Sequence, residues 1–133
     1  MERIRKFFEE DKFAHNVGLE LLEASSGRVK AKLRICEHHL NALNTVHGAA
    51  IYALADMVGG IAANMDGKCA VAVNSNISFI KAASKGVLFA EAIEVSNNHK
   101  LASYITRVTD EKGDLIAIVQ ALAYKKRAGE STK

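Results

Sequence analysis

The fold is decided by Thr45-Val-His-Gly-Ala-Ala-Ile-Tyr-Ala-Leu-Ala-Asp-Met-Val-Gly-Gly-Ile-Ala-Ala-Asn64, a run of small and apolar residues that form helices well. Apolar residues lie around most of its circumference, which predicts a helix buried by a sheet. We expect Thr45 to cap its start and Gly67 to follow its end. Asp56 is the one acid in this run, and because an unpaired buried carboxylate is costly, it requires a partner or a chemical role.

The residues before this helix predict a short helix and a hairpin. Residues 3–10 place apolar side chains at helical spacing, and residues 18–23 have the pattern of a strand. Residues 25–27, Ser-Ser-Gly, supply a turn. Over residues 29–35 apolar side chains alternate with basic ones. This period of two residues is typical of a strand with one buried face and one solvent-exposed face. The two strands therefore read as a hairpin.

After the helix the pattern changes to strands separated by short clusters of turn residues. The predicted strands are Ala70–Ile80, Val87–Val95, Leu101–Thr109 and Leu115–Tyr124. Such turn clusters favour antiparallel hairpins, so we expect these strands to form a meander. Residues 126–133 predict a flexible tail. The predicted fold class is α+β: an antiparallel sheet of five to six strands wrapped around one central helix, with a short N-terminal helix.

The composition is that of one ordered domain over residues 1–133, with 49% hydrophobic and 25% charged residues. The formal net charge of +3 suits a protein that meets a small anion and is too small to indicate a nucleic acid partner. No segment approaches the roughly 20 apolar residues of a membrane span, so we expect no membrane association. Cys36 and Cys69 form no CxxC pair, which predicts reduced thiols and a cytoplasmic location.

The helix carries two groups that suit one reaction but lie far apart. Between His47 and Asp56 there are nine steps of about 100°, which puts them on opposite faces and ~13 Å apart along the axis. Gly48 lies in the first turn, where unpaired backbone N–H groups can polarise a carbonyl oxygen. Asp56 is a candidate base or nucleophile, and its apolar neighbours predict a raised pKa or a polar partner.

A second copy of the chain can bring these groups together. Two such helices, side by side and antiparallel, place the start of one opposite the middle of the other. This arrangement predicts a two-fold homodimer with composite sites. An exposed sheet face or edge would allow two dimers to associate into a tetramer.

Asn41, His47-Gly48 and Leu54-Ala55-Asp56, at this spacing, resemble the HGG…LAD signature of the hotdog-fold thioesterases, in the PaaI branch named for the phenylacetate pathway. The resemblance covers most of the chain and includes Asn76-Ile-Ser-Phe-Ile80 and Val108-Thr-Asp-Glu-Lys-Gly-Asp-Leu-Ile-Ala117. It implies a hotdog fold and hydrolysis of acyl-coenzyme A thioesters, with aryl or short to medium-chain acyl groups, without a cofactor or a metal.

The resemblance also implies a role for each residue of the signature. Asp56 would be the catalytic carboxylate, acting as general base on water or as nucleophile. The Gly48 amide would donate to the oxyanion, Asn41 would hold the carbonyl or the attacking water, and His47 would shape the site. The acid is expected from the other subunit, as the helix geometry also indicates.

Two positions depart from the family pattern. Ala49 replaces the second glycine of the signature, while the glycine whose amide carries the role is retained. In some relatives a Ser or Thr on the strand after the helix supports the acid, and the aligned residue here is Ala72. Ser75 or Asn74 takes this role only if the strand register differs.

Three of the signature residues also have a purely structural interpretation. Asp56 can bridge a subunit interface, His47 can be a simple hydrogen-bonding residue, and Asn41 can be an ordinary turn residue. Met57 and Phe79 are expected in the core. Four basic residues either meet the phosphates of coenzyme A or are solvated charges: Lys81, Lys85, Lys100 and Arg107.

A metal site is not predicted from Cys36, His38, His39 and His47, because adjacent residues of a strand, such as His38 and His39, would point in opposite directions.

Two other functions compete with thioester hydrolysis. An acyl-thioester hydratase or dehydratase needs a His and an acid that face one substrate, and the chain lacks the Pro-rich loop typical of those enzymes. A non-catalytic acyl-CoA binding module is favoured if Asp56 is held in a salt bridge.

Overall fold

The computed structural model describes residues 2–65 and 69–126. Its helices are α1 (Glu2–Glu9), α2 (Lys12–Val17) and α3 (Gly48–Ala63), and a 3-10 turn covers Glu37–His39. Its strands are β1 (Leu19–Ser25), β2 (Arg28–Arg34), β3 (Cys69–Phe79), β4 (Val87–Asn97), β5 (Leu101–Thr109) and β6 (Leu115–Lys126).

These strands form one antiparallel sheet in the order β1-β2-β4-β5-β6-β3. The predicted β1-β2 hairpin is confirmed, and so are the neighbours β4-β5 and β5-β6. The meander is wrong at its first step, because β3 pairs with β6 and β4 pairs with β2. Turn residues mark where a strand ends, whereas its partner in the sheet depends on contacts far along the chain. β3 therefore lies at one edge of the sheet.

Helix α3 packs against the sheet, and the predicted wrapping of a central helix by antiparallel strands is confirmed. Leu54, Val58 and Ile61 of the helix are almost completely buried. Burying each such side chain contributes about 1.5–3 kcal/mol. They belong to one core with apolar side chains of the strands, among them Val29, Leu33, Leu88, Val108 and Ile116.

Helix α3 begins at Gly48 rather than near Thr45. Its N-cap is His47, whose Nδ1 accepts a hydrogen bond from the backbone N of Ala49 at 3.0 Å. Thr45 does not cap the helix, because its hydroxyl donates to the Asn41 side chain in the preceding loop. The helix ends close to the predicted Asn64, and the predicted Gly67 lies outside the described residues.

The sequence interpretation missed α2, which has six residues. Asp11 caps it by accepting from the backbone N of Ala14 at 2.9 Å, and Gly18 ends it at a φ of 91°. A helix this short shows no apolar period, although its two caps are a recognisable signal.

At the other end of the chain β6 includes Lys126, so residue 126 belongs to a strand and not to the predicted tail. The rest of that tail is not among the described residues, and no helix in the described ranges is long and apolar enough to cross a membrane.

Candidate active site

The first turn of α3 leaves one backbone amide available. The Ala49 amide donates to the His47 ring, as described above. The His47 carbonyl accepts from the backbone N of Ala50 at 2.9 Å and of Ile51 at 3.3 Å. Within residues 2–65 and 69–126, nothing accepts a hydrogen bond from the Gly48 amide. This amide lies at the positive end of the helix dipole, where it can donate to a ligand oxygen.

A buried histidine holds the loop in front of α3. His39 Nδ1 accepts from the backbone N of Cys36 at 2.9 Å, and His39 Nε2 lies 2.6 Å from the Val17 carbonyl. The backbone N of His47 donates to the His39 carbonyl at 2.8 Å, so His39 also fixes the helix cap. The prediction that His38 and His39 diverge is wrong: they share the 3-10 turn, and their ring centroids lie 4.2 Å apart.

This arrangement also bears on metal binding. Both ring nitrogens of His39 are used by the backbone, which removes it as a ligand. Across the described part of the chain, no three His, Cys, Asp or Glu side chains gather in a group that could hold a metal ion.

Asn41 organises the same loop through its side-chain oxygen. Oδ1 accepts from the backbone N of Leu43 at 2.9 Å and from the backbone N and the hydroxyl of Thr45, each at 3.2 Å. These donors fix which way the amide group faces. No described residue accepts from Nδ2, so this group can donate to a ligand. The interpretation of Asn41 as a turn residue is confirmed, and any binding role falls to Nδ2.

A cavity of about 400 Å³ opens beside Gly48. The Phe79 ring lies so close that a Cβ at position 48 would be 2.9 Å from its Cζ. Phe79 is 56% exposed, so the prediction of a core residue is wrong, because β3 ends at the rim of this cavity. Met57 is buried in the core as predicted. The remaining lining residues are Thr45, Val46, Ile51, Ile80, Lys81 and Ala82.

One of the four basic candidates, Lys81, borders this cavity. Its ammonium pairs with Asp114 and lies 3.7 Å from the Asp110 carboxylate. The pairing with Asp114 raises the pKa of Lys81 and keeps its charge at the rim. Lys85, Lys100 and Arg107 do not line the cavity, and no role in binding follows for them from its shape.

Asp56 lies on a strip of α3 that the chain leaves exposed or partly exposed, together with Ala49, Tyr52 and Gly60. The expectation that Asp56 is buried within the chain is wrong, because the residue is exposed although it borders a small cavity against the sheet. No described residue forms a hydrogen bond or ion pair with its carboxylate. Partial desolvation by the surrounding protein raises the pKa of Asp56, and repulsion from Asp11 adds to this. A salt bridge therefore does not explain the residue.

A second cavity, of about 40 Å³, lies between α3 and the sheet and has Asp56 in its wall. A β-bulge between Ala72 and Asn74 shifts the register of β3 against β6. Because of this shift Ala72 and Ser75 both face the cavity, whereas Asn74 does not line it. Ser75 therefore lines the same cavity as Asp56, and its support of the acid stays a prediction. The other polar wall residues are Tyr104 and Thr106 of β5.

The predicted site residues therefore fall into two groups within the chain. Asn41, His47 and Gly48 gather at the start of α3, and we call them the N-terminal half-site. Asp56 and its small cavity, the acid half-site, lie eight residues further along α3, about 12 Å along the axis.

An antiparallel sheet wrapped around one long helix, with functional groups at the start and middle of that helix, defines a hotdog-type α+β domain. The family model described as the thioesterase superfamily matches residues 43–117. A protein of Archaeoglobus fulgidus named "Putative esterase" is 35% identical over 127 residues, which are 94% of this chain and 82% of the relative. The chain belongs to the thioesterase superfamily, as a PaaI-like hotdog thioesterase, and is a hydrolase.

Solved structures agree with this assignment. A mutant of the phenylacetic acid degradation protein PaaI from Thermus thermophilus has a TM-score of 0.83 at 29% identity and covers 87% of this chain and 100% of its own. The smu.793 protein of Streptococcus mutans UA159, solved with acetyl CoA, has a TM-score of 0.78 at 20% identity and covers 82% of this chain and 89% of its own. The second likeness concerns the fold alone.

Proposed function

We propose that this chain hydrolyses acyl-CoA thioesters to a free acid and coenzyme A. The observation that carries the proposal is the pairing, on one helix, of an available first-turn amide at Gly48 with an acid that has no partner among the described residues, Asp56. Membership of the thioesterase superfamily supports hydrolysis. Acetyl CoA bound by the Streptococcus mutans protein on the same fold supports the ligand class.

The N-terminal half-site fits the carbonyl end of a thioester. The Gly48 amide would donate to the carbonyl oxygen as negative charge develops there, and Asn41 Nδ2 would be a second donor from the adjoining loop. Phe79, Ile51 and Ile80 give the cavity of about 400 Å³ an apolar wall for the acyl group. This volume lies in the usual range of small-ligand pockets and suits aryl or short to medium-chain acyl groups.

The acid half-site would supply the proton acceptor. Asp56 takes a proton from water, and the water oxygen bonds to the carbonyl carbon. The tetrahedral intermediate then collapses, the carbon–sulfur bond breaks, and the proton passes to the coenzyme A thiolate. Attack by the carboxylate itself, through an anhydride, is the other route. Single turnover in ¹⁸O-water tests the anhydride route: label appears in the Asp56 side chain only if an anhydride forms and water opens it at the Asp56 carbonyl carbon.

A homodimer would unite the two half-sites. β3 is an edge strand of 11 residues, and its Val71 and Val73 side chains are exposed. An apolar, unpaired edge of this length is a template for pairing with another strand. Pairing β3 with its copy across a two-fold axis would cover the Asp56 strip and set the two α3 helices antiparallel. Exposed Ile93 and Val95 on β4 would support association of two dimers into a tetramer.

The proposal is tested with a panel of aryl and short to medium-chain acyl-CoAs, with release of the free thiol as the readout. We expect turnover by the wild-type chain and at least about 10²-fold less by Asp56→Asn. Equal turnover by both would contradict the mechanism. Binding without turnover of any thioester would instead establish the alternative, a non-catalytic acyl-CoA binding module.

A hydratase or dehydratase is less well supported by the geometry. It needs a histidine and an acid on one substrate, and His47 uses Nδ1 to cap α3. Loss of conjugated absorbance on incubation with an enoyl-CoA would reveal that activity. We also propose a cytoplasmic location, supported by the free thiols of Cys36 and Cys69.

A further inference from the structure

Thr106 is a buried residue of β5 that lines a cavity. Only 2% of the residue is exposed, and the other buried polar side chain of the described residues, His39, is fully hydrogen-bonded. No described residue bonds to the Thr106 hydroxyl. Among the described residues, no fully enclosed side-chain N or O lacks a hydrogen-bond partner, so the Thr106 hydroxyl is not sealed in the core. It reaches a space that a water molecule could occupy.

The hydroxyl faces the acid half-site. Thr106 lines the cavity of about 40 Å³ that also has Asp56 in its wall. Its Oγ1 would lie 3.9 Å from a Cβ at Gly59, which is three residues beyond Asp56 and on the same side of α3. The hydroxyl therefore lies close to the helix surface that carries the acid.

The cavity suits one water molecule rather than a substrate. Its volume exceeds what a single water needs. The side chains of Ala70, Ala72 and Ala121 in its wall are small and apolar. Of the other hydroxyls in the wall, that of Tyr104 donates to Glu94 at 3.4 Å, and Ser75 is partly exposed. A water here would find its polar partners in Thr106 and Asp56.

We propose that Thr106 is a positioning residue that acts on Asp56 through one water molecule held in this cavity. The Thr106 hydroxyl donates to the water, and the water donates to one carboxylate oxygen of Asp56. That oxygen is then fixed, and the other one faces the open strip where the thioester would be attacked. The catalytic consequence of this inference rests on the proposed function. The hydrogen bonds from Thr106 through the water to Asp56 do not depend on turnover.

Thr106→Val keeps the shape of the side chain and removes the hydroxyl, while Thr106→Ser keeps the hydroxyl. We expect Thr106→Val to lower kcat about ten- to hundred-fold, the effect of losing one hydrogen bond to a charged group, with KM little changed. Thr106→Ser should retain most of the activity. Thr109→Val, on the same strand but lining a different cavity, is the matched control and should match wild type.

A second readout separates this inference from the proposed function. Titration of the Asp56 side-chain carbon by NMR should show a higher pKa in Thr106→Val than in wild type, because a donor to the ionised carboxylate is lost. If the wild type hydrolyses nothing but this shift appears, only the proposed function fails. An unchanged Asp56 titration, or loss of kcat in Ser75→Ala but not in Thr106→Val, would overturn the role of Thr106.

Discussion

The two half-sites on α3 differ in how far one subunit completes them. At the N-terminal half-site, hydrogen bonds within the loop fix His47 and the oxygen of Asn41, and they leave the Gly48 amide available. At the acid half-site, Asp56 lies on an open strip beside an unpaired strand and has no partner among the described residues. The comparison shows that the donor site is organised by hydrogen bonds of its own chain, and it supports the proposal that a second subunit completes the acid site.

The largest effect is expected from Asp56→Asn. Loss of the general base should lower kcat by about 10²- to 10⁴-fold. The fold should be unchanged and slightly more stable at neutral pH, because an unpartnered charge becomes a neutral amide of the same shape. Steady-state thiol release and thermal unfolding check the two halves of this prediction. A destabilised variant would mean that Asp56 has a structural partner.

The N-terminal half-site is tested by removing only the Gly48 hydrogen. Gly48→Pro lacks the N–H, and proline is tolerated at the first position of a helix. We expect kcat to fall by about 10²- to 10³-fold. Gly48→Ala retains the N–H and meets the same Phe79 ring, so it is the matched control and should lose much less. Equal losses in both variants would assign the effect to crowding by Phe79.

Asn41 separates loop structure from ligand binding. Asn41→Asp keeps the oxygen that accepts from Leu43 and Thr45 but loses the Nδ2 donor, so stability should be preserved while kcat falls roughly tenfold. Asn41→Ala removes both functions and should also destabilise the chain by about 1–3 kcal/mol, measured by denaturant unfolding. If Asn41→Asp is fully active, Asn41 is a turn residue only.

The smallest effects concern the pH dependence of Asp56. Its pKa is raised above the usual 3.8 in the folded chain, so its protonated form favours folding. This contribution is present below the unfolded pKa and is lost as pH rises through the folded value. The stability difference between Asp56→Asn and wild type should therefore grow from pH 4 to pH 7.

Asp11→Asn tests the electrostatic part of this shift. The variant keeps an efficient N-cap for α2 and removes the charge that raises the pKa of Asp56. It should therefore shift the acid limb of the rate profile to lower pH.

Sequence was sufficient for the local elements and insufficient for the contacts between them. The apolar run of α3 and the alternating residues of the strands predict those elements because each pattern is local. The pairing of β3 with β6, the shift of register at its bulge, and the inward position of Thr106 arise from distant contacts. The sequence predicts Thr45 as the cap because threonine commonly caps helices, but the loop uses its hydroxyl for Asn41.

The central claim is that each site joins Gly48 of one subunit to Asp56 of another. The most direct test combines the two variants Asp56→Asn and Gly48→Pro in one dimer. Heterodimers of Asp56→Asn and Gly48→Pro subunits are purified through two different tags and assayed for thiol release. One of their two sites would contain both intact groups, so we predict about half the wild-type activity per dimer. Heterodimers as inactive as either parent would contradict the composite site.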